Sequence, residues 1–446
     1  MSPPTTNHRE SIVSVHSPSS PEGVWSVRTT DSAAPVTTVR SDLTPARPTP
    51  LEVSSGVVVG SLPPASAPSP ASSAGSPLVA LEAAILPALQ RAPCLVSFSG
   101  GLDSSFILAV ACRLARRHGL PLPIPTTWRF SGAPLADESS WQERVVSSLA
   151  LTDWVRLRAG DGLDLVGPVA QRVLLRHGLL HPVNVHLHQP IVELAGGGSV
   201  LTGAGGDQIL SGWQRRDGRG PRRLYDGLPA PVQAWVRHRR GHDPLPWLDH
   251  RVSRHLLAAH LRERRAQPRD LCRRVAWHAA RRDLGLTTAA LRTLAADSDV
   301  EVVNPLLDPA FHAALVVSFR AGPVPSRTEL LAAIAGGAVA AACIEPRPKA
   351  RFLDVFFRAP TRDLVSAWDG SGVDPDVVDV ARLKALWSSW PIPPGTAGLV
   401  QQVWLAGQPG DGVGSPLVEA AGSDTARLDA ASRGAARDHA GREDVR

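Results

Sequence analysis

Lysine is almost missing from this chain. Of 47 basic residues only Lys349 and Lys384 are lysine, so 45 are arginine, and tyrosine and methionine occur once each, as Tyr225 and Met1. Such skew follows a GC-rich coding sequence rather than selection on the fold. The four cysteines, Cys94, Cys112, Cys272 and Cys343, lie far apart without a CxxC, which excludes a disulfide framework and a zinc ribbon. No stretch offers the ~18–20 apolar residues that a membrane span needs. The uncharged run from Leu330 to Ile344 is short and mostly alanine and glycine. No cationic segment followed by an apolar one marks a secretory signal, so a cytoplasmic protein with no membrane partner is expected.

What remains is ample for a core. With 446 residues, 43% hydrophobic and 20% charged, the chain holds about three domains' worth at ~150 residues each. Residues 1–75 are rich in Ser, Thr, Pro and Val, with Trp25 as the one aromatic, and lack the apolar periodicity that offsets the entropy of ordering. They read as a disordered tail, and so do residues 409–446. Between them, Ser76-Pro77 reads as the N-cap and first position of a helix, with Pro87 tending to shorten it. Candidate strands are 94–98, 126–130, 153–158 and 199–202, with helical stretches between them, the clearest running from Ser104 to His118. This alternation predicts an α/β fold, a parallel sheet with helices on both faces. The α/β core is assigned to 76–213. The rest of the body, 214–408, is expected to be mainly helical, and Arg215 to Arg282 holds eighteen arginines against six acids. That stretch is either a solvated helix face or a surface for an acidic partner, such as a peptide leader or RNA.

Two glycine-rich turns carry the chemistry. Ser99-Gly100-Gly101-Leu102-Asp103-Ser104-Ser105 stands between a strand and a helix. Its glycines allow a tight turn with N–H groups pointing inward, and the helix start adds a positive end suited to phosphate. The serines supply hydroxyls, and Asp103 can hold a Mg²⁺ bridging phosphate oxygens. The second turn, Val200-Leu201-Thr202-Gly203-Ala204-Gly205-Gly206-Asp207-Gln208, again follows a strand.

The first turn resembles the PP-loop of ATP pyrophosphatases, and the second resembles the Leu-Ser-Gly-Glu-Gly-Ala-Asp-Glu motif of the asparagine synthetase family. The resemblance covers about residues 78–405. It implies an adenine-nucleotide α-hydrolase-like fold and ATP bound by Ser99, Gly100, Gly101, Asp103, Ser104, Ser105, Gly203 and Gly205. It also implies Mg²⁺ held by Asp103 and Asp207. Two looser matches follow: Glu301 to Asp308 is similar to Glu-x-Arg-x-Pro-Phe-Leu-Asp, and Arg347-Pro348-Lys349 to Phe352 is similar to the Arg-x-Lys-x-x-Phe loop. Through them the resemblance implies Lys349 and Glu301 as catalytic residues. Lys349 would neutralise phosphate and developing oxyanion charge, and Glu301 would orient a base or the incoming amine; a surface role fits Glu301 as well. Glu138 falls where relatives carry an acidic residue and is a substrate-side candidate.

The family's shared chemistry implies ATP-dependent amide-bond formation through an acyl-adenylate, on a small-molecule or peptide carboxylate. Relatives include β-lactam synthetases and lasso-peptide macrocyclases. The family's glutaminase domain begins with cysteine after Met1, where this chain has Ser2. Ammonia, a substrate amine or a separate amine-supplying subunit is therefore expected as nitrogen source, with a leader-peptide-binding subunit as a further partner. Departures are Ala204 and Gln208, which stand where asparagine synthetases carry glutamates, and Val303 in place of arginine. Alternative readings are a PP-loop tRNA-modifying enzyme, which the second turn and the lysine loop disfavour so that a nucleic-acid partner is not expected, and a catalytically degenerate member. His186 and His188, two apart, would share one side of an extended strand. With no acid or cysteine nearby they read as a polar strand edge beside the nucleotide, not as metal ligands.

Overall fold

The computed structural model describes residues 10–14, 46–62, 75–210, 229, 231–233, 243–268, 270–319, 326–347 and 350–409. In chain order, β1 (Glu10–Ser14), α1 (Pro50–Ser55), α2 (Pro77–Gln90), β2 (Cys94–Ser97), α3 (Leu102–His118), β3 (Ile124–Phe130), α4 (Ser139–Ser148) and β4 (Trp154–Ala159) come first. Then follow α5 (Pro168–His177), α6 (Gln189–Leu194), β5 (Ser199–Leu201), α7 (Gly206–Ile209) and β6 (Glu301–Val303). Long helices at His250–Ala266, Leu271–Ala279 and Arg282–Ala296 precede β6, and Pro309–Phe319, Arg327–Ala335 and Ala397–Ala406 follow it.

The strands form one parallel sheet in the order β1-β4-β3-β2-β5-β6. β2 is apolar throughout except for its last residue, because helices cover it on both sides. On one face Leu81, Ile85 and Leu89 of α2 pack with Phe106, Val110 and Leu114 of α3 and with Phe311. On the other, Leu95 and Leu157 meet Val169, Ile191, Leu399 and Val400. The α/β architecture read from the alternation of elements is therefore the observed one. The part after 243 is not purely helical: β6 returns to the sheet beside β5. Pro87 sits inside α2, three residues from its end, without stopping it.

The chain runs outward from β2 through β3 to β4, then crosses back to lay β5 on the other side of β2. The order reverses between β2 and β5, which opens a crevice at their carboxyl ends, where ligands bind in open α/β sheets. No helix among the described residues is long and apolar enough to cross a membrane.

The reading of 1–75 as a tail needs correction at residues 10–14 and 46–62; most of the remainder, like 410–446, lies outside the described residues. Glu10–Ser14 pairs along β4. Thr49 caps α1 in a capping box with Glu52, and α1 packs beside Ala397–Ala406 with Val53 buried. Arg282 grips the Glu52 carboxylate with Nε at 2.6 Å and Nη2 at 3.0 Å. Leu62 fills the space that a side chain at Gly285 would take. The capping box, the bidentate pair and a few apolar contacts suffice to dock this segment. Deleting residues 1–62 is expected to cost about 2–4 kcal/mol of stability, from the lost apolar burial and the partly buried ion pair. Urea unfolding of the truncated chain checks this, and an unchanged midpoint contradicts it.

Candidate nucleotide site

Two strand ends build the site. After β2 the chain turns at Gly100, whose φ of +97° is a left-handed conformation that suits glycine. A Cβ at Gly100 would stand 2.8 Å from Gln142 Cγ. The turn is held from within: Gly101 N–H donates to Ser99 Oγ at 3.1 Å, Ser104 Oγ donates to Gly101 O at 3.3 Å, and Ser99 and Ser104 hydroxyls lie 3.2 Å apart. Gln142 Nε2 fixes Ser99 O at 2.6 Å. Helix α3 starts at Gly101 with no side-chain cap, so its first N–H groups remain available to a ligand at the positive end of a 17-residue helix.

After β5, Thr202 holds the second turn by accepting from Ala204 N–H at 3.1 Å, and its hydroxyl bonds Asn304 beyond β6. Here the fit is tight. A Cβ at Gly203 would lie 3.1 Å from Asp103 Cβ, and one at Gly206 only 2.1 Å from Asp103 Oδ2. The glycines let the second turn close onto the first.

Asp103 and Asp207 thereby face the same cation. Arg327, the first residue of the helix Arg327–Ala335, donates through Nη2 to Asp103 Oδ2 and through Nη1 to Asp207 Oδ1, the latter at 2.8 Å. Burial pulls the Arg327 pKa down, but the two carboxylates outweigh it and raise it above the usual arginine value. Two carboxylates on one guanidinium form the kind of hard-oxygen pair that a divalent cation takes in its place. The two ends of one guanidinium fork reach both oxygens, so the carboxylates lie close enough together to be candidates for sharing a Mg²⁺.

Ser99, Gly101, Asp103, Ser104, Gly203 and Asp207 line a cavity of about 460 Å³. Phe98, Thr126, Trp128, Leu187, Phe352 and Phe356 give it an apolar wall of the kind that suits a purine ring. Gly100 and Ser105 lie behind that lining, where Gly100 O and Ser105 Oγ accept from Arg347 Nη1, the second at 3.3 Å. Gly205 is also behind it, packed on Leu307.

Glu138 is buried at the cavity wall as the N-cap residue immediately before α4. Glu301 is not brought in. It is exposed at the amino end of β6, opposite Ser199, while the cavity lies at the carboxyl ends of the strands. That corrects its candidacy as a catalytic residue. Lys349 lies outside the described residues, as does Pro348. The residues on either side, Arg347 and Ala350, both line the cavity. Asp308 is a helix cap, accepting from Ala310 and Phe311 N–H at 2.8 and 3.0 Å.

The histidines are placed differently from the expectation. Val185–His188 is a short 3₁₀ helix, not a strand, so the two rings diverge. His186 is buried with Nε2 3.0 Å from Leu163 O. His188 lines the cavity near Ser97 Oγ, and burial pushes its pKa down to about 4, so it is neutral at pH 7. No group of three or more His, Cys, Asp or Glu suited to a metal occurs among the described residues.

Sequence reasoning missed Arg327, Gly206, Gln142 and the full role of Arg347. Besides Gly100 and Ser105, Arg347 reaches Ala342 O and Cys343 O at 3.3 and 3.2 Å and stacks 5.1 Å from the Trp141 ring. It ties the loop before Lys349 to the first glycine turn. Arg347→Ala is expected to lower turnover about 10²-fold, since small misplacements at a reacting centre cost that much. Nucleotide affinity should change less, because the hydrogen bonds of Arg347 go to the backbone and Ser105 behind the turn while the uncapped start of α3 is untouched. Steady-state turnover beside equilibrium nucleotide binding separates the two.

The family model described as asparagine synthase matches residues 80–318, more than half of the 446 residues. This span contains both glycine turns and β2 through β6. The chain therefore belongs to the asparagine synthase family, whose membership suggests an ATP-dependent ligase. No curated protein matches the chain.

Proposed function

We propose that this member of the asparagine synthase family forms amide bonds by activating a carboxylate with ATP as an acyl-adenylate, with ammonia or a substrate amine as the nucleophile. The observation that carries the reading is the convergence of Asp103 and Asp207, from the ends of β2 and β5, on one cationic centre beside an uncapped helix start. Mg²⁺ bound by the two carboxylates would neutralise phosphate charge and help pyrophosphate leave.

The chain's own residues supply the rest. N–H groups opening α3 and the Ser99 and Ser104 hydroxyls would receive phosphate oxygens. The apolar wall from Phe98 to Trp128 would hold the base and keep water from an activated carboxyl. Lys349 is assigned charge neutralisation at the oxyanion, as the family's loop implies, and a compact ammonium suits that task better than a guanidinium fork. Ala204 leaves no carboxylate at its position and packs against the buried apolar cluster that includes Leu291 and Leu294. The substrate met there is therefore less polar at that point than aspartate, and natural-product or peptide carboxylates, including those of lasso-type cyclisation, fit better than asparagine synthesis. The nitrogen is proposed to come from outside the synthase unit at 80–318, either free or on a partner.

ATP–pyrophosphate exchange tests the reading, run with panels of small and peptide carboxylic acids and, separately, with tRNA. Exchange that depends on a carboxylic acid is the expected result. Exchange only with tRNA would move the protein to nucleic-acid modification, and none with any acid would sink the proposal.

A further inference from the structure

Strands β3 and β4 carry three arginines on one face. Arg129 pairs in register with Arg158, and Arg156 stands two residues before Arg158, so all three side chains leave the sheet on the same side as Trp154. Arg156 lies 3.9 Å from the Trp154 ring and Arg129 5.3 Å from it, so one indole holds two guanidiniums close together. Together with Phe130, Ser131, Asp137 and Glu143 they line a second concavity of about 670 Å³. That volume is within the ~300–1,000 Å³ range of small-molecule sites. Phe130 lines both this concavity and the nucleotide cavity, so the two are neighbours at the same end of the sheet.

Arg129 and Arg158 do not spend all their donors among the described residues. Arg129 Nη2 meets Glu143 at 3.3 Å, a carboxylate whose side chain is 61% exposed. Arg129 Nη1 is buried with no hydrogen-bond partner among the described residues. Arg158 is exposed and makes no ion pair among the described residues. Asp137 spends its Oδ1 on the Ser139 N–H, at 2.9 Å, and on the Ser139 hydroxyl. Burial and the neighbouring Arg156 and Arg158 lower the Arg129 pKa, while Glu143 and Asp137 act against them. Like charges held side by side repel, and an added oxyanion with several acceptor oxygens, reaching the exposed Arg158, would relieve this.

We propose that the Arg129–Arg156–Arg158 concavity is a second binding site, separate from the nucleotide site, for a small ligand bearing a multivalent oxyanion, either a phosphate or clustered carboxylates. Guanidinium forks match both chemistries, so the geometry names the shared class.

The test is isothermal titration of the full chain with the nucleotide site saturated by Mg²⁺ and a non-hydrolysable ATP analogue. The probes are inorganic phosphate and tricarballylate, which distinguish a phosphorylated from a polycarboxylate ligand by which binds more tightly. One oxyanion per chain is expected, with affinity falling as salt rises. Arg158→Gln should weaken it about tenfold, the usual effect of losing one charged hydrogen bond, and Arg129→Gln should do at least as much. Because Arg129 is half-buried and its replacement endangers the fold, the exposed Arg158 provides the deciding variant. Analogue affinity should stay unchanged in both. Absence of binding by both probes at millimolar concentration overturns the proposal, as does binding that Arg158→Gln leaves intact.

Discussion

Asp207→Ala and Asp103→Ala are each expected to reduce ATP-dependent pyrophosphate release at least ~10³-fold, about 4 kcal/mol of transition-state stabilisation. Either loss leaves one carboxylate where two converge on a cation. The two variants should differ in stability. The Asp207 side chain is 56% exposed and that of Asp103 only 15%, so Asp207→Ala should unfold close to the parent. Asp103→Ala removes the better-buried partner of Arg327 and should unfold more readily. Pyrophosphate release beside urea midpoints reads both effects. Parent-like release in either variant would remove that residue from the metal assignment.

Gly206→Ala is expected to be nearly as damaging, about 10²–10³-fold in turnover, through a single methyl group. An alanine Cβ there would lie 2.1 Å from Asp103 Oδ2 and 2.2 Å from its Cγ, so the carboxylate must move. Local propensity argues the other way, since Gly206 opens α7 and alanine favours a helix by up to ~1 kcal/mol. Preserved or raised stability with lost turnover is therefore the signature of a displaced Asp103. Gly407→Ala is the control: its φ is −81° and the nearest atoms to a Cβ there lie 3.6 Å away. If Gly206→Ala turns over like Gly407→Ala, the second turn does not position Asp103.

How much could be read without coordinates follows from how local each signal is. Both glycine turns are contiguous strand-turn-helix patterns, and their expected strands, Cys94 onward and Ser199 onward, form the adjacent β2 and β5. Arg327 gave no such signal. It is one arginine among 45, and its meeting with Asp103 joins residues 224 apart. Its one readable feature was structural, the Ser326/Glu329 capping box that starts its helix. The same signature, Thr49 with Glu52 followed by Pro at the first helical position, marked α1 inside a stretch whose composition argued for a tail. Composition averages over such short docked elements. β6 has only three residues, too few for a periodicity, so the sequence around Glu301 does not reveal which strand end it occupies. His186 and His188 looked alternating, but alternation over three residues does not distinguish a strand from a 3₁₀ turn.

The central claim is that Asp103 and Asp207 jointly hold the metal of a nucleotide lodged at the β2–β5 switch point, in place of the guanidinium that bridges them. A crystal structure with Mg²⁺ and a non-hydrolysable ATP analogue tests it most directly. The account predicts phosphates at the start of α3, the cation on both carboxylates and Arg327 released from at least one of them. Nucleotide bound elsewhere, or phosphates in place with the Asp103–Arg327–Asp207 bridge intact, would contradict it.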